Sequence, residues 1–171
     1  PQPVLYPDND AFSQWDQPGG IEDPRIVETP DGEYIMLYTS WNTDVARLSS
    51  ATSKDLKNWT KQGPVFEEAH DGKFLDVWSK SGSMVTELVN GRLIAKKING
   101  KYLMYWGELF VNLAVSSNGT DWEPTLKENG ELLHSFTPTV NEFDSHLTEP
   151  GPPAIYTENG ILLLYNGKNL S

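Results

Sequence analysis

Two stretches of the sequence set carboxylates beside proline, glycine and a basic side chain, just before or within apolar runs. They are GGIEDPRIV at residues 19–27 and FDSHLTEPGPP at residues 143–153. Their polar residues are Glu22, Asp23, Arg25, Asp144, His146 and Glu149. Carboxylates accept hydrogen bonds from sugar hydroxyls, and two suitably spaced carboxylates can hydrolyse a glycosidic bond, one as acid and one as base.

A third polar group lies between these stretches and consists of Lys80, Ser81 and Glu108. Aromatic side chains accompany all three groups, namely Trp15, Trp41, Trp78, Tyr105, Trp106 and Phe143. Aromatic faces cover the apolar side of a sugar ring, while a few placed polar groups hold its hydroxyls. If the three groups converge in the fold, their residue types predict a carbohydrate site.

Each polar group also has a simpler structural explanation when it is considered alone. Glu22 or Asp23 can cap a turn, with Arg25 as the partner in a surface ion pair. Glu108 can be an exposed residue at a strand end, and Glu149 can be an ordinary loop acid. The recurrence of such groups in one chain favours a shared site over these separate explanations.

Composition argues against several other classes of partner and cofactor. A net charge of -11 disfavours nucleic acid or an anionic membrane surface, because either requires a basic face. No apolar stretch approaches the roughly 20 residues of a membrane span. The three histidines have no metal-ligand spacing, the chain has no Cys, and no glycine-rich phosphate loop occurs. We expect no metal and no organic cofactor, and the oligomeric state stays open.

The elements that position these groups follow from an internal repeat. PDGEYIMLYTSW, INGKYLMYWGEL and ENGILLLYNGKN each combine a turn with an apolar strand, and their glycines are Gly32, Gly100 and Gly160. Asp-Gly and Asn-Gly supply the positive φ of tight hairpin turns. The strands expected before these turns are RIVET, a stretch around RLIAKK, and PAIYT. A second repeat, ATSKDLKNW and AVSSNGTDW, predicts a strand, a polar turn and an outer strand that starts at a tryptophan.

Repeats of this length predict four-stranded antiparallel units, the blades of an all-β propeller. Because a propeller must close its ring, we expect the chain to be part of a longer five-bladed β-propeller, of which it supplies about two and a half to three blades. The blade units are predicted at approximately 20–70, 76–130 and 143–171, in one incomplete catalytic domain. A small two-sheet β-sandwich is the alternative fold.

The strings GGIEDPRIV, YIMLYTSW, WSKSGSMV, KINGKYLMYWGE and FDSHLTEPGPPAIYTENGILLLYNG resemble glycoside hydrolase family 130 over nearly the whole chain. The resemblance implies a five-bladed propeller that acts on β-mannosides as a phosphorylase or as a hydrolase. Family phosphorylases open the second blade with Lys-Asp, whose Asp donates the proton, and hold phosphate with a His-Arg pair and a Tyr-His-Gly. Here the corresponding strings read Lys80-Ser81, YWGE at 105–108 and YNG at 165–167.

The missing aspartate and cations make this chain similar to the hydrolytic branch of the family, because a phosphate dianion needs charge-assisted donors. The resemblance implies an inverting, phosphate-independent β-mannosidase that acts on β-1,2 linkages, with Glu108 and Glu149 as the catalytic pair. It also implies that substrate contacts come from Glu22, Asp23, Arg25, Lys80, Ser81, Trp106, Asp144 and His146.

Two alternatives stay open at this point: a β-mannoside phosphorylase that produces mannose 1-phosphate, and a non-catalytic carbohydrate-binding propeller. The resemblance suggests a periplasmic or extracellular protein, with a cytoplasmic one possible.

Overall fold

The computed structural model describes residues 2–170 of the chain, and these residues are almost entirely β-structure. A single four-residue helix in this range, α1 at Ser13–Asp16, precedes the first strand. The first unit of the fold comprises β1 (Gly20–Glu28), β2 (Tyr34–Trp41), β3 (Ala46–Ser53) and β4 (Trp59–Pro64). Its strands pair in chain order, each antiparallel to the next, as the repeat predicts.

The second unit contains β5 (Ser83–Val89), β6 (Arg92–Ala95), β7 (Lys97–Ile98), β8 (Lys101–Trp106), β9 (Val111–Ser116), β10 (Glu123–Pro124) and β11 (His134–Phe136). The strand expected around RLIAKK is present as β6, but the strand that pairs with β8 is β5. β5 pairs with β8, whereas β6 folds back on β5 through the Asn90-Gly91 turn, in which both residues have positive φ. β5 was not expected from the sequence, because its buried half carries serine and threonine as well as apolar residues.

The third unit comprises β12 (Leu147–Pro150), β13 (Ala154–Thr157), β14 (Gly160–Leu162) and β15 (Tyr165–Lys168). β12 pairs with β15, and β13 pairs with β14. β13 also runs parallel to β5, and β6 meets β1 in a parallel bridge, so adjacent units are linked at their edges. The exact blade boundaries stay a prediction. No helix in residues 2–170 is long and apolar enough to cross a membrane.

The main core lies between the first and second units and joins apolar side chains from both. Its largest buried members are Phe66, Trp106, Trp122, Leu48 and Met104. Burial of such side chains contributes roughly 1.5–3 kcal/mol each, so the two units stabilise each other's position. The backbone segments at the ends of β1, β5 and β8 are thereby fixed in relation to one another.

The second sequence repeat forms the same turn twice, as predicted. In the first copy Asp55 accepts backbone hydrogen bonds from residues 57 and 58, and in the second Asn118 accepts them from residues 120 and 121. The indoles of Trp59 and Trp122 each donate to a carbonyl three residues earlier, at 3.2 and 3.0 Å. Both tryptophans therefore close a polar turn at an outer strand and lie away from the polar groups.

A buried ion cluster anchors the segment that enters β1. The Lys61 ammonium on β4 lies 2.6 Å from Asp16 and 2.9 Å from Asp10, and the Asp16 side chain is 1% exposed. Burial raises the pKa of Asp16 against the opposing effect of Lys61. Burial lowers the pKa of Lys61, but the two carboxylates outweigh it and the pKa lies above its usual value. Lys61 thus compensates a charge that has almost no access to water.

We expect Lys61→Met to lower the free energy of unfolding by about 3–5 kcal/mol at neutral pH, because it leaves Asp16 buried and uncompensated. A carboxyl group whose folded-state pKa is raised stabilises the fold in its protonated form, so the loss should shrink as the pH falls through that pKa. Urea denaturation at pH 7 and pH 5 measures both effects. Lys54→Met, which breaks an exposed 3.3 Å pair with Glu33, is the control and should cost less than about 1 kcal/mol. An equal loss in the two variants would contradict the anchoring role.

Candidate active site

The segment Trp78–Ser81 connects the first unit to the second and is fixed on both sides by hydrogen bonds. The Ser79 amide donates to Ala46 O at 2.9 Å, and the Ser79 hydroxyl accepts from the Leu48 amide at 2.9 Å, both on β3. On the other side the Gly107 amide donates to Lys80 O at 2.9 Å, just beyond the end of β8. We call this stretch the 78–81 segment, and its side chains donate hydrogen bonds to both candidate glutamates.

The two glutamates predicted to be catalytic lie side by side in the fold. Leu109 and Thr148 form an isolated antiparallel bridge, and the Thr148 hydroxyl donates to Leu109 O at 2.9 Å. Glu108 and Glu149 are the next residues beyond this bridge, on the same side of it. Two carboxylates that are 41 positions apart in the chain are therefore neighbours in space.

Each glutamate accepts a hydrogen bond from the 78–81 segment, but from a different kind of donor. The Trp78 indole Nε1 donates to Glu108 Oε2 at 2.9 Å. The Ser81 hydroxyl donates to Glu149 Oε1 in a short hydrogen bond. Both glutamates are half-buried, whereas Ser81 is buried. Ser81 thus supports Glu149, and its contact with substrate stays a prediction.

One cation, Arg25, lies near Glu149 and Asp23, and a second, Lys80, pairs with the same aspartate. Lys80 Nζ lies 3.5 Å from Asp23 Oδ2. Burial lowers the pKa of Arg25, while the nearby charges of Glu149 and Asp23 act in the opposite direction. The Nη1 atom of Arg25 is buried and has no hydrogen-bond partner in residues 2–170. Arg25 therefore contributes positive charge near Glu149 and has one donor nitrogen without a partner in the described residues.

A β-bulge explains how Asp23 and Arg25 leave the regular pattern of β1. The pairing of β1 with β2 shifts between Glu22 and Arg25, and Asp23 has φ of 54°. Bulges of this kind re-aim side chains near functional sites. Glu22 stays on the regular part of the strand opposite Thr39 and is exposed.

Two further residues predicted to contact substrate differ in burial: Asp144 is buried and His146 is exposed. Asp144 is 2% exposed, accepts from the Tyr165 hydroxyl at 2.9 Å and accepts from the Thr139 amide at 3.3 Å. Burial, and then the hydrogen bond to Asp144, raises the pKa of Tyr165. Asp144 therefore holds β15 rather than a free hydroxyl. His146 is exposed, and its backbone amide donates to Lys168 O at 2.8 Å.

The expectation that Trp106 lines the pocket is corrected by its position in the core. Its side chain is 1% exposed and packs on Phe66, with ring centroids 4.7 Å apart. Trp78 is instead 48% exposed and meets Trp41 edge to face at 5.5 Å. The alternation of β8 buries Trp106 together with Tyr102 and Met104. That alternation was visible in the sequence, and it is the signal that could have excluded Trp106 and favoured Trp78.

No cluster of three or more metal-ligating side chains occurs in the part of the chain that the structure describes. The polar groups near the glutamates are instead paired with one another or held by the backbone. The arrangement brings two glutamates to neighbouring backbone positions, holds each carboxyl group by a separate donor, and adds an arginine near Glu149 and an exposed indole. Such a set suits proton transfer to and from a sugar.

Antiparallel blade-like units and an acid-rich site with two adjacent glutamates define a carbohydrate-active protein of the β-propeller class. The chain belongs to glycoside hydrolase family 130, because the profile of that family, described as beta-1,4-mannooligosaccharide phosphorylase, matches residues 2–171. The all-β, five-bladed propeller class expected from the sequence is confirmed, and the chain is a part of such a propeller.

Three relatives illustrate the similarity. A 1,2-beta-oligomannan phosphorylase of Thermoanaerobacter sp. (strain X514) is 31% identical over 150 residues, which are 86% of this chain and 42% of the relative. The structure of a glycosyl hydrolase from Bacteroides ovatus is 56% identical with a TM-score of 0.96, covering 99% of this chain and 47% of that one. A further structure, 54% identical with the same TM-score, covers 99% and 47%. Its description states that the GH130 family of mannoside phosphorylases contains glycoside hydrolases that target beta-1,2 mannosidic linkages in Candida mannan.

The chain therefore spans about half the length of the relatives it matches. Membership of a glycoside-active family is shown, and these relatives act on mannosides or are glycosyl hydrolases by name. The names of the family profile and of the curated relative, however, support phosphorolysis better than the hydrolysis expected from the sequence. Whether water or phosphate is the acceptor of the reaction therefore stays a prediction.

The burial of Trp106 and the exposure of Trp78 lead to opposite expectations for stability. In the full-length protein, Trp106→Ala should lower the free energy of unfolding by about 3–5 kcal/mol, because it leaves a cavity in the core. Trp78→Ala should cost much less, since half of its surface already faces solvent. Urea denaturation of the two variants beside the parent measures the difference, and a larger loss for Trp78→Ala would reject these assignments.

Proposed function

We propose that the protein containing this chain cleaves a β-mannosidic bond with Glu108 and Glu149 as its acid and base. The observation that carries the proposal is the placement of these two glutamates beside one bridge, each held by its own donor from the 78–81 segment. Neither carboxylate forms an ion pair within residues 2–170. Both therefore remain available to transfer a proton to or from a substrate.

The proposed mechanism is a single displacement with inversion. One glutamic acid protonates the glycosidic oxygen, while the other glutamate takes a proton from water on the opposite face of the sugar. Such a mechanism requires carboxyl groups about 6.5–9.5 Å apart, so that the water fits between base and anomeric carbon. Arg25 and Lys80, with Asp23, are proposed to hold hydroxyls of the mannose that is released.

Water is the acceptor that the charges of this half of the site favour. Lys80 is already paired with Asp23, and Arg25 faces both Asp23 and Glu149. A phosphate dianion would have to approach Glu108 and Glu149, and the carboxylates that surround Arg25 and Lys80 offset the positive charge of these two cations. We therefore propose hydrolysis, and we propose β-1,2 linkages because two of the relatives carry that linkage in their descriptions.

Phosphorolysis is the second candidate, and specific observations favour it. The family profile is described as a phosphorylase, and the curated relative at 31% identity has the same class of name. The part of the relatives that this chain does not span offers room for further phosphate-binding cations. Phosphorolysis would release mannose 1-phosphate, whereas hydrolysis releases mannose.

We expect the full-length protein to release free mannose from β-1,2-mannobiose at the same rate with and without phosphate, first as the α-anomer. Glu108→Gln and Glu149→Gln should each lower kcat by at least about 100-fold, because each removes a proton-transfer group. Proton NMR follows both the products and their anomeric form.

Glu131→Gln is the matched control, because Glu131 is exposed and its ion pair is with Lys127, away from the two glutamates; its rate should equal that of the parent. Mannose 1-phosphate formed only in the presence of phosphate would replace hydrolysis by phosphorolysis. Binding of the disaccharide without turnover would indicate a carbohydrate-binding propeller and reject the enzyme.

A further inference from the structure

Arg47 is a buried cation on β3, next to the residues that anchor the 78–81 segment. Its side chain is only 8% exposed. The Nη2 atom lies 2.6 Å from Asp76 Oδ1, and the Nη1 atom donates to Val45 O at 3.2 Å. The Nε atom is buried and has no hydrogen-bond partner within residues 2–170. Asp76, whose side chain is 75% exposed, therefore supplies the carboxylate that compensates this buried charge.

Attachment of the chain alone does not explain a charged side chain at this position. A buried ion pair contributes little net stability compared with well-packed apolar side chains, because both charges lose contact with water. A buried nitrogen without a partner adds a further cost. Ser79 already attaches the same stretch of chain to β3 on either side of Arg47, at Ala46 and Leu48. The pair with Asp76 is thus better explained by the geometry that it imposes.

That geometry concerns Trp78, which follows Asp76 by two residues. The Trp78 indole is 48% exposed and donates to Glu108 Oε2 at 2.9 Å. Water competes with an exposed hydrogen bond, so this bond has little strength of its own and lasts only where the donor is held in place. The edge-to-face contact with Trp41 holds one side of the ring. On the amino-terminal side of Trp78, the directional ion pair of Asp76 adds to the apolar packing of Val77.

The bonds of Ser79 to β3 confine the effect of this ion pair to Trp78. The Ser79 amide and hydroxyl both bond to β3, and the next carbonyl along the chain accepts from the Gly107 amide. A backbone shift at Asp76 would therefore reach Trp78 but would stop before Ser81, which bonds to the other glutamate.

Building on the proposed function, we infer that Arg47 is a positioning residue for Glu108. Its ion pair with Asp76 sets the backbone that carries Trp78, and the Trp78 indole in turn orients the Glu108 carboxyl group for proton transfer. Arg47 acts through these side chains and is assigned no contact with the substrate. The role is the same whether Glu108 gives or takes the proton.

Arg47→Met in the full-length protein tests this role through the separation of kcat from KM. On β-1,2-mannobiose we expect kcat to fall roughly 10- to 100-fold while KM stays within about twofold, because a small displacement of a proton-transfer group slows chemistry more than it weakens binding. Asp76→Ala removes the other partner and should have the same effect. Asp76→Asn leaves the guanidinium an acceptor oxygen, so it should lose less and keeps the test open if Arg47→Met does not fold.

Two controls separate positioning from a general loss of stability. Trp122→Phe removes a buried indole from an outer turn that lies away from the glutamates, so it should lower the melting temperature and keep the parental kcat. Arg92→Met makes the same substitution in an exposed ion pair with Glu28, and it should change neither quantity. All rates are compared below the melting transition of each variant.

A double-mutant cycle with Trp78→Phe decides whether Arg47 acts through the indole. Trp78→Phe removes the donor to Glu108 and keeps an aromatic ring against Trp41. In this background Arg47→Met should change kcat by less than about twofold, because the interaction that it disturbs is already absent. A merely structural role would instead make the losses of the two single variants multiply.

Fluorine NMR of protein labelled with 5-fluorotryptophan gives a readout that does not depend on activity. The resonances that disappear in Trp78→Phe and Trp122→Phe identify these two indoles. Arg47→Met should shift or broaden the Trp78 resonance and leave the Trp122 resonance in place.

Multiplied losses in the cycle, or an unmoved Trp78 resonance in Arg47→Met, would overturn the inference while the proposed hydrolysis stands. A loss of kcat in Trp122→Phe as large as that in Arg47→Met would reduce the effect of Arg47 to stability and overturn it as well. A parent protein that cleaves no β-mannoside would reject the proposed function, and the positioning role with it.

Discussion

The site depends on the fixed position of the 78–81 segment between two β-units. Its backbone is bonded to β3 through Ser79 and to the end of β8 through Lys80. Side chains on the segment then reach Glu108 in one direction and Glu149 in the other. Movement of the units relative to each other would separate the glutamates from their donors, so the interface between the units is part of the site.

Three of the residues with an unusual backbone conformation lie where these groups meet. Asp23, Ser81 and Leu109 all have positive φ, with values of 54°, 57° and 77°. Conformations of this kind cost free energy for residues other than glycine, and they persist where the surrounding structure holds them. Each of the three lies beside or within the set of groups around Glu108 and Glu149. The core between the units supplies the packing that holds them.

Charge balance underlies the proposal that water is the acceptor in preference to phosphate. Lys80 and Arg25 each face carboxylates, and the net charge of the whole chain is -11. An uncharged substrate avoids the repulsion that a dianion would meet and still supplies hydroxyl donors to the acids. The relatives named as phosphorylases are more than twice as long as the matched segment, so groups from outside this chain decide whether phosphate can also be accommodated.

Several features followed from the sequence because they depend on local rules. Positive φ at Gly32 and Gly100, the polar turns before Trp59 and Trp122, and the alternation of the strands all arise within a few residues. The all-β class and the repeated units could therefore be predicted. The pairing of Glu108 with Glu149 as candidates rested on resemblance, and the sequence could not show that they are neighbours.

Tertiary structure alone decided which polar groups are free and which are supports. Ser81 and Asp144 look like ligands in the sequence, but long-range contacts with Glu149 and Tyr165 bury them as structural partners. Hydrogen bonds and burial join residues that are far apart in the chain, so spacing does not encode them. The sequence determined the strands, the turns and the chemical types available; the packing of one unit on the next determined which of those groups lie beside the two glutamates.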